Sequence, residues 1–440
     1  MSADAMSKQK RVLVFATKLG YQTRSFNSAA EKLGVELAFI TDRCQRLDDP
    51  WGDRALAVHF ESPEIAAGAV IQAQAGAQID GILALGDRPA PTAAYVARSL
   101  GILYNHPASV EACRSKLRTR EVFRAAGIPV PWFRAMSIDP VPEPALAGIT
   151  YPCVLKPFSL SASQGVVRAN NREEFLAGAG RLKRLLQSAE IRATREPNLD
   201  QMIVEGYLPG REVAVEALLT EGTLRVLAIF DKPDPLEGPY FEETIYVTPS
   251  RLAEAQQRAI EQSLSASVQA LGLRHGPIHA EFRLNAEGVW PLEVAPRPIG
   301  GLCARSLHFS FENDGTIGLE ELLLRHALGL PGSDAQRETL VSGVMMIPVP
   351  SSGMFEKVEG EEAARQVPGI TSLEITARLH DFIAAWPEGS SYLGFLFARA
   401  ERPDEVENAL RAAHGKLRFA LNPRLPVEHP ASHKLSPADV

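Results

Sequence analysis

The chain has 440 residues, of which 45% are hydrophobic and 22% are charged, and its formal net charge is −7 at pH 7. This length exceeds what one hydrophobic core usually serves, so we expect two or three globular domains. The negative net charge disfavours a general nucleic-acid binder and a protein of anionic membrane surfaces, because both require a basic surface.

The cysteines and the chain termini indicate a cytoplasmic protein. Cys44, Cys113, Cys153 and Cys303 are scattered and form no CxxC pair, which disfavours a disulfide framework and a zinc site. The first ten residues are polar and lack the apolar core of a signal peptide. No stretch of about 20 apolar residues is present, so we expect no membrane span.

The N-terminal part, residues 1–108, has the pattern of a Rossmann-like α/β domain. Strand-like runs begin at Arg11, Val35 and Ile79 and alternate with helical segments, which is typical of a parallel sheet covered on both faces. Asp42 stands at roughly the spacing of a ribose-binding acid, but the first turn has only Gly20 and lacks GxGxxG. A plain βαβ unit is therefore favoured over a dinucleotide site.

A lysine beside a flexible loop follows in the central part, residues 109–330. One helix is predicted from Ser109 to Gly127, followed by a proline pair. Lys156 then ends a short apolar strand and precedes a loop of small and polar residues, 159–165. Such a loop brings backbone N–H groups close to phosphate oxygens, and a lysine beside it adds a positive charge. The alternative is an edge lysine that extends along an apolar surface into water.

Two glutamates on a predicted hairpin carry the strongest signal. The turn lies at residues 285–288, and Glu281 and Glu293 are equidistant from it, so they should be directly opposite or one rung apart on one face. His279 and Arg297 share this face by the period of two. Two carboxylates at this separation suit Mg²⁺ with phosphate oxygens and water, whereas the alternative is a solvated face with paired charges.

The C-terminal part, residues 331–425, is predicted to be a separate small α+β domain. Three strand-like runs precede an amphipathic helix that has Val406, Leu410 and Leu417 on one side. Residues 426–440 are rich in proline and indicate a disordered tail.

Together these motifs resemble the ATP-grasp superfamily of carboxylate–amine ligases, and they are most similar to its L-amino acid ligase branch. They occur in the family order and cover most of the chain. The resemblance implies a Rossmann-like N-terminal domain, an ATP-grasp fold with a mobile lid and a small C-terminal domain, so that α/β and α+β classes are combined.

The resemblance implies a role for each motif. Glu205 would accept a hydrogen bond from the adenine amino group, and Glu212 would lie near the ribose or the metal. The residues that would bind ATP come from the two phosphate lysines, the lid loop and the adenine-binding linker strand: Lys116, Lys156, Ser161, Ser163, Gln164, Gly165, Glu205, Tyr207, Leu208 and Glu212. Glu281 and Glu293 would bind Mg²⁺, with Mn²⁺ as an alternative ion. Arg297 and Lys156 would act on the reacting acyl phosphate.

One departure from the family pattern lies beside the metal pair. Many members have an asparagine two residues after the second metal glutamate, where this chain has Ala295. A second Mg²⁺ would then lose one ligand or gain a water. We interpret the change as a mark of a subfamily.

The resemblance to the L-amino acid ligase branch implies substrate contacts at Gly300, Gly301 and Arg305, and it implies that the motifs "DKP" and "FEET" approach the acyl acceptor or the metal. Glycines permit close backbone approach, and arginine binds carboxylates through two hydrogen bonds. A turn and a surface ion pair are the alternatives.

The predicted function is therefore an ATP-dependent ligase that joins a small-molecule carboxylate to an amine through an acyl phosphate, giving ADP and phosphate, with amino acids as the expected substrates. Dimers are common in the family, so the resemblance is compatible with a homodimer. One alternative is a carboxylase- or carbamoyl-type enzyme of the same superfamily, although no biotin-attachment segment or amidotransferase domain is visible. Another is a regulator that binds ATP without turnover. A nicotinamide-dependent oxidoreductase is disfavoured by the missing glycine-rich turn.

Overall fold

The computed structural model describes residues 9–17, 20–42, 55–139, 141, 143–311 and 315–423. The predicted tail at 426–440 and Cys44 lie outside these residues. Cys113, Cys153 and Cys303 are buried and free. Within the described ranges, no helix combines the length and the apolar character that crossing a membrane requires.

The N-terminal domain is a parallel sheet, as predicted from its alternating strands and helices. Its strand order is β3-β2-β1-β4, and every strand pair is parallel. The strands are buried because helices pack against the sheet. The elements are β1 (Arg11–Phe15), α1 (Tyr21–Leu33), β2 (Glu36–Thr41), β3 (Ala55–Ala57), α2 (Pro63–Ala73), β4 (Gly81–Ala84) and α3 (Ala90–Leu100).

The helical stretch that follows consists of two helices, where the sequence predicted one. They are α4 (Pro107–Arg114) and α5 (Lys116–Ala125). Ser115 separates them with extended backbone (φ −98°, ψ 110°), and its hydroxyl accepts a hydrogen bond from the backbone N–H of Arg118 at 3.4 Å. A serine N-cap therefore restarts the helix and places Lys116 in the first turn of α5.

A small antiparallel sheet with its helices forms a subdomain that we call the lid subdomain, after the role that the resemblance predicts for it. The strand order is β5-β8-β6-β7, and β6 ends at the predicted lysine loop. Phe175, Leu182 and Leu186 of its longest helix are buried against this sheet. The elements are β5 (Phe133–Ser137), α6 (Glu143–Leu146), β6 (Cys153–Pro157), β7 (Val167–Ala169), α7 (Arg172–Leu186), α8 (Ala189–Ala193) and β8 (Gln201–Gly206).

The large antiparallel sheet carries the glutamate hairpin. Its first strands have the order β13-β12-β9-β10-β11, and the turn at residues 285–288 separates two strands as predicted. Further turns at Pro209–Gly210 and Glu221–Gly222 separate β8 from β9 and β9 from β10. The elements are β9 (Arg211–Thr220), β10 (Thr223–Asp231), β11 (Ile245–Thr248), α9 (Glu254–Ala270), β12 (Gly276–Asn285) and β13 (Gly288–Ala295).

Short elements connect the hairpin to the C-terminal part. After a 3-10 helix at Cys303–Ser306 come β14 (His308–Phe311), β15 (Gly315–Gly318), α10 (Leu319–Ala327) and β16 (Gln336–Arg337). Leucines of α10 pack into one core with the N-terminal sheet and the large sheet. The two domains therefore share buried surface beside the hairpin.

The C-terminal part extends the large sheet, a connection that its sequence pattern did not reveal. β11 pairs with β17, and the order continues as β17-β21-β19. Val406, Leu410 and Leu417 are buried, as predicted for one face of the last helix and the residues after it. The elements are β17 (Val341–Ile347), β18 (Gly353–Glu359), α11 (Glu361–Arg365), β19 (Ile370–Ile375), β20 (Phe382–Ile383), β21 (Gly394–Ala400), α12 (Pro403–His414) and β22 (Arg418–Asn422).

Candidate active site

The glutamate hairpin has the predicted register. Glu281 of β12 lies directly opposite Glu293 of β13, and His279 lies opposite Ala295. A shift in the register follows Glu281, where β13 has one extra residue. Facing carboxylates repel unless a cation lies nearby, so this pairing marks a position where the chain requires positive charge.

That positive charge comes in part from Lys232, which follows β10. Its Nζ lies 2.8 Å from Glu212 Oε1 and 3.2 Å from Glu281 Oε1, and it also contacts Glu243. Carboxylate oxygens of these three glutamates lie within 4.8 Å of one another. We call Glu212, Glu243 and Glu281 with Lys232 the acidic cluster.

The electrostatics of the acidic cluster follow from its burial. Desolvation by itself lowers the pKa of Lys232, but the three carboxylates outweigh it and hold that pKa well above the ordinary value. Burial, together with Glu281 and Glu212, raises the pKa of Glu243 to about 7 despite Lys232. Three hard carboxylate donors beside a single ammonium fit Mg²⁺, which prefers oxygen ligands.

The sequence analysis placed Glu281 in a metal pair with Glu293, whereas the cluster in the structure joins Glu281 to Glu212 and Glu243. Glu293 adjoins the cluster through its ladder position opposite Glu281. The motifs that contain Lys232 and Glu243 were predicted to approach the acyl acceptor or the metal, but neither residue was named as a ligand. The signal for them was the pair of polar motifs "DKP" and "FEET" between two apolar strands.

His279 adds a second cation to the hairpin face. Its Nδ1 is hydrogen-bonded to Glu216 of β9, and its Nε2 lies 3.8 Å from Glu281 Oε1. Burial lowers the pKa of His279, but the Glu216 carboxylate raises it to about 9, so the imidazole is charged at neutral pH. Glu216 also accepts from the backbone N–H of Ile299 at 3.1 Å.

Arg297 reaches the N-terminal domain. Its guanidinium donates to both carboxylate oxygens of Asp87, at 2.8 Å and 3.1 Å. The Ser161 hydroxyl of the lid loop donates to the same carboxylate at 2.7 Å. Burial by itself raises the pKa of Asp87, but the charge of Arg297 outweighs burial and holds that pKa below its usual range. Asp87 in turn raises the pKa of Arg297.

Asp87 is a site residue that the sequence analysis missed. It follows β4 at the carboxyl edge of the parallel sheet, which is where ligands of such sheets commonly bind. Its partner Arg297 is 210 positions away in the chain. The strand pattern located the edge of the sheet but not the cation that faces it.

A second buried cluster surrounds Glu205 of β8. Arg120 Nε donates to Glu205 Oε2 at 2.9 Å, Arg120 Nη2 donates to Oε1 at 3.3 Å, and Lys156 also contacts this carboxylate. Arg120 Nη1 donates to the carbonyl oxygen of Leu292 at 2.9 Å, one residue before Glu293. We call Arg120, Lys156 and Glu205 the basic cluster, and it adjoins the hairpin.

Arg120 was also missed by the sequence analysis, although it lies four residues after Lys116 on α5. Burial by itself raises the pKa of Glu205, but the charges of Arg120 and Lys156 outweigh burial and lower that pKa to about 2. Desolvation lowers the pKa of Lys156, and the charge of Arg120 adds to this effect against the pull of Glu205. The predicted contact of Glu205 with an adenine amino group stays a prediction, since cations engage both carboxylate oxygens here.

Lys116 supports the lid loop, residues 159–165. Its Nζ donates to the carbonyl oxygen of Leu160 at 2.6 Å, and its backbone N–H donates to Phe158 at 3.0 Å. Ser163 adopts a left-handed backbone with φ 53°. Gln164 and Gly165 contact the C-terminal domain. The structure therefore brings Lys116 and Ser161 towards the site, and the phosphate roles of these residues stay predictions.

The linker after β8 is tied to the large sheet by Arg283. Its Nη1 donates to the carbonyl oxygen of Leu208 at 2.6 Å, and its Nε donates to Glu212 Oε2 at 2.9 Å. The ring of Tyr207 lies 4.1 Å from the guanidinium carbon of Arg168. The linker thus runs between the basic cluster and the acidic cluster, which suits its predicted contact with ATP.

The predicted substrate residues occupy different surroundings. A Cβ on Gly301, which has φ 63°, would lie 2.9 Å from Cζ of Phe395, so packing and backbone both require glycine. Among the described residues, no heavy atom beyond Gly300 itself and its two chain neighbours lies within 4 Å of a Cβ built on Gly300. Arg305 Nη1 lies 3.1 Å from Glu374 and lines a 310 Å³ cavity. Their substrate contacts stay predictions.

Comparison with known proteins gives two family matches. Residues 149–306 match the ATP-grasp domain, and residues 345–422 match the L-amino acid ligase C-terminal domain 2. The first match contains the lid loop, the linker, the hairpin and Arg297. The second contains most of the strands that extend the large sheet beyond β11.

Individual relatives agree with these matches. The crystal structure of an L-amino acid ligase from Bacillus licheniformis superposes with a TM-score of 0.79 at 26% identity, covering 94% of this chain and 99% of the other. An uncharacterized protein of Sinorhizobium fredii is 23% identical over 76% of this chain and 66% of its own length. An alanine–anticapsin ligase of Bacillus amyloliquefaciens is 29% identical over 44% and 43%. The chain thus spans less than two thirds of either of these two curated relatives.

Proposed function

We propose, on the premise that this chain is an ATP-grasp ligase family enzyme with an L-amino acid ligase C-terminal domain, that it joins two amino acids. The reaction consumes ATP, passes through an acyl phosphate and forms an amide or peptide bond, with ADP and phosphate as the other products. The direct pairing of Glu281 with Glu293 carries this proposal, because it concentrates carboxylates beside buried cations.

The basic cluster supports binding of the triphosphate. Lys156 lies beside Arg120, and both share the carboxylate of Glu205, so this region has more positive than negative charge. Lys116 approaches from the first turn of α5. Phosphate oxygens of ATP supply the missing negative charge, and Lys116 and Lys156 stabilise the charge that develops during transfer.

The acidic cluster supports binding of magnesium. Glu281, with Glu243 and Glu212 on one side and Glu293 opposite, offers oxygen donors of the type that Mg²⁺ prefers. When bound, Mg²⁺ neutralises charge on the phosphate groups. Lys232 keeps the carboxylates together, and His279 holds its proton at neutral pH because of Glu216.

In the first step, the carboxylate of one amino acid attacks the γ-phosphorus and ADP leaves, which gives the acyl phosphate. Arg297, oriented by Asp87 through two hydrogen bonds, stabilises the phosphoryl oxygens. In the second step, the amino group of the other substrate attacks the acyl carbon. The C–N bond forms, the bond from that carbon to the phosphate oxygen breaks, and the proton lost by the amine passes to the released phosphate or to water.

The C-terminal match separates this proposal from its alternatives. A domain of the L-amino acid ligase type favours amino-acid substrates over bicarbonate. Both predicted phosphate lysines, Lys116 and Lys156, and both predicted metal glutamates, Glu281 and Glu293, are present, which favours an enzyme over an ATP-binding regulator. A homodimer stays a prediction.

The test is release of ADP and phosphate by the purified protein with Mg-ATP and a panel of amino acids, singly and in pairs, with bicarbonate as a further acceptor. Wild type and Glu293→Ala are compared. We expect certain amino-acid pairs to raise turnover only in the wild type, with the product identified by mass spectrometry. ATP binding without any turnover would support the regulator, and stimulation by bicarbonate alone would support the carboxylase-type enzyme.

A further inference from the structure

The lid loop contacts the C-terminal domain through residues 386–388, which we call the latch segment. Trp386 Nε1 donates to the carbonyl oxygen of Ala162 at 3.1 Å, and Gln164 Nε2 donates to that of Glu388 at 2.7 Å. The backbone N–H of Gly165 donates to the carbonyl oxygen of Pro387 at 2.8 Å. Three hydrogen bonds thus join a loop of the lid to a domain more than 200 residues later in the chain.

An ion pair reinforces this contact from the lid helix. The guanidinium of Arg181 on α7 pairs with the carboxylate of Glu388, with 2.8 Å between Nη2 and Oε2. Arg181 Nη1 also donates to the hydroxyl of Tyr240 at 2.5 Å. Tyr240 belongs to the segment between Lys232 and Glu243, so the same arginine links the lid, the latch segment and the loop of the acidic cluster.

The latch segment is itself anchored in the C-terminal core. Trp386 is 8% exposed, and its ring centroid lies 4.8 Å from that of Tyr392. The lid loop, by contrast, has an unfavourable backbone at the point of contact. Ala162 and Ser163 have φ angles of 56° and 53°, a region that residues other than glycine adopt only when their surroundings hold them there.

We propose that Trp386 and Glu388 are positioning residues of the reaction, which hold the lid loop over the phosphates of ATP. This inference rests on the proposed ligase function. A held lid excludes water from the acyl phosphate, as closed lids do in other enzymes. The C-terminal domain thereby affects how the intermediate is used, although the latch segment touches no reacting atom.

The chemical consequence is a partition of the acyl phosphate. Amine attack forms the C–N bond and expels phosphate. Water attack on the same carbon forms a C–O bond, expels the same phosphate and returns the original carboxylate, so ATP is consumed without an amide. Loosening the latch segment should raise the amount of ADP released per amide formed.

The first test measures the latch without relying on activity. Amide hydrogen exchange of the lid loop is followed in the full-length wild type, Trp386→Phe and Glu388→Gln. Phenylalanine keeps a ring against Tyr392 and removes the Nε1 donor, and glutamine removes the charge that Arg181 binds. The matched control is Glu359→Gln, which breaks an exposed ion pair with Lys357 in the same domain.

We expect exchange in the lid loop to accelerate by about threefold to tenfold in both latch variants, because a lost hydrogen bond shifts local opening by such a factor, and to stay unchanged in the control. Unchanged exchange in both latch variants would overturn the proposal. Using two variants keeps the test decisive if Trp386→Phe folds poorly.

The second test compares ADP with amide product in the same variants. The ratio should rise by about threefold or more in Trp386→Phe and Glu388→Gln and stay at the wild-type value in Glu359→Gln. Faster exchange with an unchanged ratio would overturn the positioning role. If the wild type forms no amide with any amino acid, the proposed function fails, and the exchange experiment still decides whether the latch holds the lid.

Discussion

The acidic cluster and the basic cluster are both largely shielded from water, but their charge balances are opposite. Three carboxylates surround one ammonium in the first, and two cations share one carboxylate in the second. When the charged neighbours of the acidic cluster are included, the group stays negative, with five carboxylates against three cations: Glu212, Glu216, Glu243, Glu281, Glu293, Lys232, Arg283 and His279.

This difference shows what the site is built to receive. Buried charges are costly unless they are paired, so a protein retains unbalanced ones mainly where a ligand completes them. A divalent cation completes the acidic cluster, and phosphate oxygens complete the basic cluster. Magnesium with a nucleoside triphosphate supplies both kinds of charge in one ligand.

The largest effect is expected from removing the carboxylate of Glu281, which belongs to the acidic cluster and also lies opposite Glu293 in the hairpin. Glu281→Ala should lower kcat by about a hundredfold to a thousandfold, since it removes one preorganised electrostatic contact. Steady-state ADP release measures this change. Glu287→Gln, in the exposed turn of the same hairpin, is the control and should keep wild-type turnover. Equal losses in both variants would show that charge on the hairpin has no specific role.

The next effect concerns stability and sharpens the contrast of charge. Lys232→Met leaves three partly buried carboxylates without their buried ammonium, which should cost about 3 kcal/mol of unfolding free energy. Mg²⁺ should then raise the melting temperature more in the variant than in the wild type, because it replaces the lost charge. Thermal denaturation with and without Mg²⁺ tests this. Lys357→Met, at an exposed ion pair, should show neither change.

The basic cluster should respond to the opposite ligand. Glu205→Gln leaves Arg120 and Lys156 facing each other without a carboxylate and should cost about 2 kcal/mol. ATP without a divalent ion should stabilise this variant more than Mg²⁺ does, which is the reverse of the result for Lys232→Met. Glu143→Gln, which loses an exposed partner of Arg172, is the control. Rescue of both cluster variants by the same ligand would break the comparison.

The smallest effect is expected at a buried pair that has no strong counter-ion. The rings of His275 and His326 stack with centroids 4.4 Å apart, and Thr220 Oγ1 lies 3.0 Å from His326 Nε2. Burial lowers the pKa of both residues. The pKa of His326 falls to about 4, with the charges of His275 and Arg225 adding to burial, whereas the Glu221 carboxylate opposes the shift at His275.

Because the unfolded chain binds these protons more readily, the stability from this pair is present above about pH 6.5 and is lost as the pH falls towards about 4. The free energy of unfolding should change by up to about 1.4 kcal/mol per pH unit for each proton that is taken up. Urea unfolding at about pH 7 and about pH 5 measures it. His326→Gln should lose less stability than the wild type over this interval, and an equal loss would place the acid sensitivity elsewhere.

Local patterns predicted much of the fold. The apolar runs at Arg11, Val35 and Ile79 became parallel strands, and the symmetry around the turn at 285–288 placed Glu281 opposite Glu293. These features depend on neighbouring residues in the chain. The break at Ser115 was missed because both sides of it have helical periodicity.

The partners of the charged residues were harder to predict. Arg120 and Glu205 are 85 positions apart, and Asp87 and Arg297 are 210 apart, so no periodicity relates them. Pairing between β11 and β17 also joins distant segments, which hid the continuity of the large sheet. Sequence patterns placed charged residues near the ends of strands, but they did not show which residue of opposite charge the fold brings next to each of them.

The most direct measurement of the central claim follows an oxygen atom. Amino acids whose carboxylate oxygens bear a heavy isotope are incubated with the enzyme and Mg-ATP, and the released phosphate is analysed by mass spectrometry. An acyl phosphate predicts that one labelled oxygen passes from the carboxylate to the phosphate for every amide bond formed. Amide product accompanied by unlabelled phosphate would contradict this mechanism.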